Sequence, residues 1–193
     1  MTASAVGVIG FEPLDLDRHL ELLHAWVTHP RSVYWEMQDA SLDDVRTEYA
    51  AIAANPHHEA VLGAVDGAPA FLVERYDPAH SELADHLVHA DGWVGMHVLV
   101  APLADGASPA PGFTDAVFAA VMAWLFEDPE VTRVVVEPDA RNEAIRAKNV
   151  AAGFAELHEI ELSTKTAMLS TCSREAFAAS RLGAGLGGAH ALV

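Results

Sequence analysis

Apolar positions outline the elements of this chain. Leu16, Leu20, Leu23 and Val27 recur at helical spacing behind Asp15, an available N-cap, and predict a helix over about Asp15 to Val27 that His29 and Pro30 end. Leu42, Val45, Tyr49 and Ile52 form a second stripe behind Ser41 and Asp44, which resemble a capping box with Asp in place of Glu; Asn55 and Pro56 close it. Glu59 to Val65 and Ala70 to Tyr76 are strand-like runs joined by Asp66 and Gly67, a hairpin-turn pair. Trp93 to Val100 alternates, with Trp93, Gly95, His97 and Leu99 on one face and Val94, Met96, Val98 and Val100 on the other. Thr114 is positioned to cap a helix over Asp115 to Phe126. Val134, Val135 and Val136 are a β-branched run within a strand over Thr132 to Glu137, and Pro138 stops it because proline brings no N–H to a ladder. Asn142 opens a helix with Ala144, Ile145, Ala147 and Ala151 on one face, which Gly153 closes.

Two further strands over Ala155 to Leu162 and Lys165 to Thr171 read as an antiparallel pair, Ser173 to Ser180 as a short helix, and the glycine-rich tail from Arg181 as mobile. The strands at Trp93 and at Thr132 enclose one helix, so they are predicted to run parallel with a right-handed crossover. The expected fold class is α/β (α+β): one domain over residues 1–172, followed by the short helix and tail of residues 173–193.

Composition narrows the function classes. A 193-residue chain with 51% hydrophobic content can bury one sizeable core. A formal charge of −17 argues against nucleic acid and against an anionic membrane surface, and permits a cationic small substrate. One cysteine, Cys172, leaves no internal disulfide and suits a reducing, cytoplasmic setting; Met1 to Phe11 lacks the basic residue and apolar core of a signal peptide. The longest apolar run, Ala116 to Phe126, is too short to span a bilayer. His57, His58, His80 and His86 have no ligand spacing with a companion Cys or carboxylate, so they read as surface histidines and no metal is expected.

Two polar residues stand where chemistry is usually placed. Asp139 lies just past the carboxyl end of a buried parallel strand, although an Asp there can equally cap the next helix. His97 is a polar residue in an otherwise apolar strand, which is more often a hydrogen-bonded core histidine than a catalytic one.

The strand ending in Glu137, Pro138 and Asp139, with Asn142 three residues on and Gly153–Phe154 eleven beyond that, resembles the corresponding segment of the GNAT superfamily of acyl-CoA-dependent N-acyltransferases. The resemblance runs from about Asp15 to Thr171 and implies a mixed central sheet flanked by helices, with splayed parallel central strands. The segments His29 to Asp39, Glu74 to His80, Gly95 to Val100, Val134 to Asn142 and Lys165 to Leu169 are similar to the siderophore-biosynthesis acyltransferases. These include aerobactin N-hydroxylysine acetyltransferases, mycobactin lysine N-acyltransferases and, nearest of them, the desferrioxamine-type N-hydroxycadaverine acyltransferases.

By that resemblance His97 and Asp139 are the catalytic pair, one taking a proton and the other orienting the acceptor. An acetyl-CoA or succinyl-CoA co-substrate meets Val98, Leu99, Val100, Gly112, Phe113, Thr114, Asn142, Arg146 and Asn149, and a small hydroxylamine meets Trp35, Gln38, Glu74 and Tyr76. The expected assembly is a monomer or homodimer. The chain departs from the superfamily at two points. The tyrosine that often serves as general acid falls at Asn149, and the pyrophosphate loop, Gly106 to Thr114, carries two prolines that remove donors. Phosphate binding is therefore expected to lean on Arg141, Arg146 and Lys148. The readings held beside an N-hydroxycadaverine acyltransferase are an N6-hydroxylysine acetyltransferase, a lysine N-acyltransferase, a protein-lysine acetyltransferase and a binding module without turnover.

Overall fold

A computed structural model describes residues 2–4, 6–88, 91–103 and 110–187. Among these residues eight strands form one sheet: β1 (Thr2–Ser4), β2 (Gly7–Pro13), β3 (His58–Val65), β4 (Ala68–Tyr76), β5 (Trp93–Val100), β6 (Arg133–Val136), β7 (Ala155–Glu161) and β8 (Thr166–Ser173). Their order is β1-β2-β3-β4-β5-β6-β8-β7. Each neighbouring pair is antiparallel except β5 and β6, which are parallel as expected for strands separated by one crossover helix.

Among the described residues, six α-helices cover the faces: α1 (Leu16–Val27), α2 (Leu42–Ala54), α3 (Phe113–Leu125), α4 (Glu143–Ala151), α5 (Arg174–Ala179) and α6 (Arg181–Gly187). The predicted signals act as read at α1, where Asp15 accepts from the N–H groups of Asp17 and Arg18, and at α2, where Ser41 and Asp44 complete a capping box. Asp66 and Gly67 both have positive φ, 50° and 81°, and make the β3–β4 turn. One core layer packs α3 with Phe154, Phe177 and Leu182 against Phe71, Val73, Val94 and Met96. The other packs Leu23, Trp26, Val45 and Tyr49 of α1 and α2 against Leu62, Leu72 and Leu99.

The structure differs from the sequence reading at three places. β1 and β2 were not anticipated, because in β2 only Ile9 is fully buried and no alternation stands out. α3 begins at Phe113 with Gly112 as its N-cap, at φ 78° and without a side-chain cap, so Thr114 lies inside the first turn. The tail is helical from Arg181 to Gly187, because Leu182 inserts into the core at 6% exposure; its remainder, residues 188–193, lies outside the described residues. Among the described residues, no helix is long and apolar enough to cross a membrane.

Candidate active site

The sheet opens where β5 and β6 part. They pair only at Trp93–Arg133, Val94–Val134 and Gly95–Val135, although β5 runs on to Val100. Beyond Val136 the chain follows β8 instead. Met168 N–H donates to the Pro138 carbonyl at 2.8 Å, Ala140 N–H to the Thr166 carbonyl at 2.9 Å, and Asp139 bridges Ala167. β5 stays with β4, and Ala101 N–H donates to the Ala70 carbonyl at 2.9 Å. By antiparallel alternation from that bond, the main-chain groups of His97 and Leu99 face β4, whereas Met96 faces β6 at the end of the paired stretch and Val98 and Val100 face the opening. The cleft thus has a wall of main-chain N–H and C=O groups, and of the expected cofactor residues on β5, Val98 and Val100 offer their N–H there whereas Leu99 does not.

On the odd-numbered face of β5, His97 is held between two carboxylates. Its Nδ1 lies 2.9 Å from Oε2 of Glu74, its cross-strand partner on β4, and its Nε2 lies 2.5 Å from Oε1 of Glu137. Glu137 also accepts from the Tyr76 hydroxyl at 2.7 Å, and Glu74 from the Tyr49 hydroxyl at 3.0 Å; the Trp35 indole N–H donates to that same hydroxyl at 3.0 Å. Gly95 makes part of this possible, because a Cβ there would fall 2.0 Å from the Tyr76 ring. Glu74 and Glu137 are 7% and 6% exposed, whereas the His97 side chain keeps 36% of its surface.

The network fixes its own charges. Burial works against a charged imidazole, but Glu137 and Glu74 outweigh it and raise His97 to about 10. Burial alone would raise Glu74; His58 and His97 instead bring it down to about 2, and His97 chiefly lowers Glu137 against the same penalty. At neutral pH the centre is therefore carboxylate, imidazolium, carboxylate. Burial and Glu137 push Tyr76 well above its ordinary range, so its hydroxyl stays a donor.

Asp139, 5% exposed, bonds Arg141 twice through the guanidinium, Nε–Oδ1 at 2.9 Å and Nη2–Oδ2 at 2.6 Å, and accepts the Arg141 main-chain N–H at 2.8 Å. Arg141 holds the carboxyl down to about 2, and Lys165 adds to the effect. Over this corner lies a 3-10 segment, Pro30–Trp35: the Thr164 hydroxyl donates to Glu36 at 2.7 Å, and the Trp35 ring stands edge-on to His97, centroids 6.2 Å apart. Of the expected acceptor-binding residues, Trp35, Glu74 and Tyr76 belong to the His97 network. Gln38 does not; its amide reaches back to the carbonyls of His29 and Pro30 at 3.4 and 3.3 Å.

The expected cofactor residues divide similarly. The first turn of α3 is open: a Cβ on Gly112 would meet nothing within 4 Å, and among the described residues no acceptor meets the N–H groups of Thr114 and Asp115. Phe113 N–H is already spent on the Ala110 carbonyl at 3.1 Å. Asn149 is 2% exposed and its Oδ1 has no hydrogen-bond partner among the described residues, an orphaned buried acceptor that suits a ligand N–H. Asn142 caps α4 through Ile145 N–H at 3.2 Å and is structural in the free chain. The cations expected to take phosphate are engaged: Arg146 with Glu156 at 2.8 Å, Arg141 with Asp139, and Lys148 with Asp115. Asp115, in the first turn of α3, is also met by Arg181 of α6 at 2.8 Å, so Lys148 and Arg181 together offset the one acid at that helix end. Of the expected pyrophosphate loop, Gly106 to Thr114, residues 106–109 lie outside the described residues.

Three participants were missed from sequence. Glu137 read as the end of a strand, though a carboxylate between a buried valine run and a proline was a usable signal. Tyr49 read as core, and Arg181 as tail; neither position carries a local signal of its contact.

The family model for the acetyltransferase (GNAT) domain matches residues 15–162. Among curated relatives, SAT14 of Stachybotrys chartarum, a candidate O-acetyltransferase, is 26% identical over 88% of this chain and 37% of its own length. The hydroxyornithine transacylase SID3 of Ajellomyces capsulatus is 28% identical over 83% of this chain and 36% of its own. The N-hydroxyputrescine acetyltransferase of Acinetobacter baumannii is 26% identical over 84% and 76%. The chain thus spans little more than a third of the first two relatives. A solved Bacillus halodurans protein, bh2621, superposes with a TM-score of 0.84 at 23% identity over 93% of this chain and 91% of its own. The acetyltransferase AAC(6')-Ib, in complex with ribostamycin and coenzyme A, gives 0.77 at 21% over 90% and 97%; at such identities the likeness is one of fold.

Proposed function

We propose, from the premise that this chain belongs to the acetyltransferase (GNAT) family, that it transfers an acyl group from coenzyme A to the hydroxylamino nitrogen of a small N-hydroxylated amine, forming a hydroxamate of siderophore type. The finer reading is acetyl or succinyl transfer to N-hydroxycadaverine. The observation that carries it is the cluster of Glu74, His97 and Glu137 at the point where β5 and β6 part. Two buried carboxylates against one imidazolium leave an excess negative charge, which suits an acceptor that brings a positive charge at its far end. The relatives named for hydroxyornithine and N-hydroxyputrescine support the acceptor class.

In this reading the thioester enters along the free edge of β5. The Val98 N–H polarises its carbonyl, the Asn149 amide meets the cofactor's own polar groups, and the Gly112–Thr114 turn faces its phosphates. A hydroxylamine nitrogen is far less basic than an alkylamine and arrives neutral, so no ammonium must first be stripped. Its lone pair attacks the carbonyl; the tetrahedral intermediate loses the nitrogen proton and expels the thiolate. Both ring nitrogens of His97 are committed to carboxylates, so His97 orients the acceptor as a cation and Asp139 takes the proton. The Arg141 side chain, 80% exposed, is free to move aside as that happens.

N6-hydroxylysine remains a second reading because of Lys165, a cation near enough to lower both Glu137 and Asp139, which could meet a substrate carboxylate. Arg75 does not compete for that role, being held by Asp128 at 3.2 Å. The test is thiol release from acetyl-CoA and succinyl-CoA with N-hydroxycadaverine, N6-hydroxylysine, cadaverine and lysine, each product identified by mass. Turnover confined to the hydroxylated diamine is expected. Preference for hydroxylysine would move the substrate, and coenzyme A binding without turnover on any of the four would sink the reading.

A further inference from the structure

Away from His97, a second group of potential ligands gathers where β3 begins and β4 ends. Asp77 N–H donates to the His57 carbonyl at 2.8 Å, extending the ladder that pairs His58 with Tyr76, so the backbone holds His57 and Asp77 side by side. Asp77 then caps a 3-10 turn, Pro78–His80, through Oδ1 and the Ala79 N–H at 2.9 Å, and the turn brings His80 back over the pair. The other carboxylate oxygen, Oδ2, lies 2.8 Å from His80 Nδ1 and 3.7 Å from His57 Nδ1. One candidate ligand atom from each residue falls within 4.8 Å of the others.

We propose that His57, Asp77 and His80 bind a divalent transition-metal ion of the zinc class. Two imidazoles and one carboxylate match the donor preference of zinc and its neighbours, whereas magnesium and calcium want oxygen throughout. The donors sit on fixed backbone, yet their side chains are 40%, 41% and 51% exposed for His57, Asp77 and His80, so an ion can reach them. The two rings are stacked, centroids 3.5 Å apart and planes 5° from parallel, a pose in which one ion cannot lie in both ring planes. Binding therefore turns one exposed ring about its Cβ–Cγ bond. An ion with three protein ligands keeps open positions, and His57 and Asp77 line a cavity of about 700 Å³ shared with Tyr49, His58, Tyr76 and Trp93. His58 Nε2 is buried there, 3.6 Å from Glu74 Oε2. The sequence reading takes His57 and His80 as surface histidines, and both are exposed; spacing along the chain does not record the β3–β4 pairing that brings them to Asp77.

The proposal does not rest on the transferase reading. Its test uses the tag-free full chain, stripped with chelator and titrated with Zn2+ by calorimetry and with Co2+ by visible absorption, at about pH 7.5 where free imidazoles are mostly neutral. One equivalent of each ion is expected to bind. His57→Ala and His80→Ala should each weaken binding by roughly 10-fold or more, while His86→Ala leaves it unchanged. Asp77→Asn keeps a capping oxygen, guards against a folding artefact, and should weaken binding as well. Absence of saturable binding, or an affinity unaltered in the His57→Ala/His80→Ala double variant, would overturn the assignment.

Discussion

The two sides of the cleft between β5 and β6 are built from different materials. On the side proposed for the acceptor the polar groups are side chains, Glu74, His97, Glu137, Tyr76 and Tyr49, nearly all bonded to one another. On the side proposed for the cofactor they are mostly main-chain groups, the N–H of Val98 and Val100 and the open first turn of α3, with one orphaned amide, Asn149. A closed side-chain network holds charge and geometry before substrate arrives, at the expense of burying ions that must stay paired. A main-chain edge asks nothing of residue type and waits for a partner. Substitutions should therefore act on turnover on the first side and on thioester affinity on the second.

The largest effect is expected from Asp139→Ala, about 10²- to 10⁴-fold in kcat with coenzyme A binding retained; loss of binding by the same factor would make Asp139 structural. Glu137→Gln comes next, with kcat lower by roughly 10-fold and a shifted pH profile. A raised folded pKa contributes stability in full below the unfolded value and loses it as pH rises through the folded one, here about 10. The lowered carboxylates work the other way, and Glu74 and Asp139 lose their contribution only as pH falls toward about 2. The His97 contribution to stability should thus shrink as pH rises from about 6.5 toward 10, while the folded centre keeps one protonation state and kcat stays level across neutral pH; removing the Glu137 charge should bring the alkaline limb down toward neutrality.

The cofactor side should respond more mildly. Asn149→Leu should raise KM for the thioester several-fold, leave the acceptor KM alone, and stabilise the free chain by about 1 kcal/mol, since an unpaired buried amide is removed. A lower melting temperature would show that the amide is satisfied after all. Arg181→Ala should change the thioester KM by only about twofold, and less at high salt, because an exposed cation is screened.

The same contrast governs how much could be read in advance. Helices α1 and α2, the β3–β4 hairpin, the β5 faces and the parallel β5–β6 pair were legible because periodicity and caps are local. His97 stood out as polar in an apolar strand, and Asp139 by its place after a valine run. Glu74 was visible as an acid on a strand, but its bond to His97 depends on register, which a hairpin sets only once its turn is fixed. Tyr49 lies on a helix whose buried stripe explains it without any hydroxyl partner. The Val98 N–H and the bare α3 terminus carry no residue signature, and Arg181 sits among glycines that disguise a docked helix.

The central claim is that His97 is held as an imidazolium between Glu74 and Glu137. Nitrogen-15 NMR of histidine-labelled protein reads this directly. The account predicts two protonated ring nitrogens on His97 from about pH 7 to 9, titrating near 10, with the midpoint falling in Glu137→Gln. A His97 midpoint near 6.5 in the parent chain, indifferent to Glu137, would contradict it.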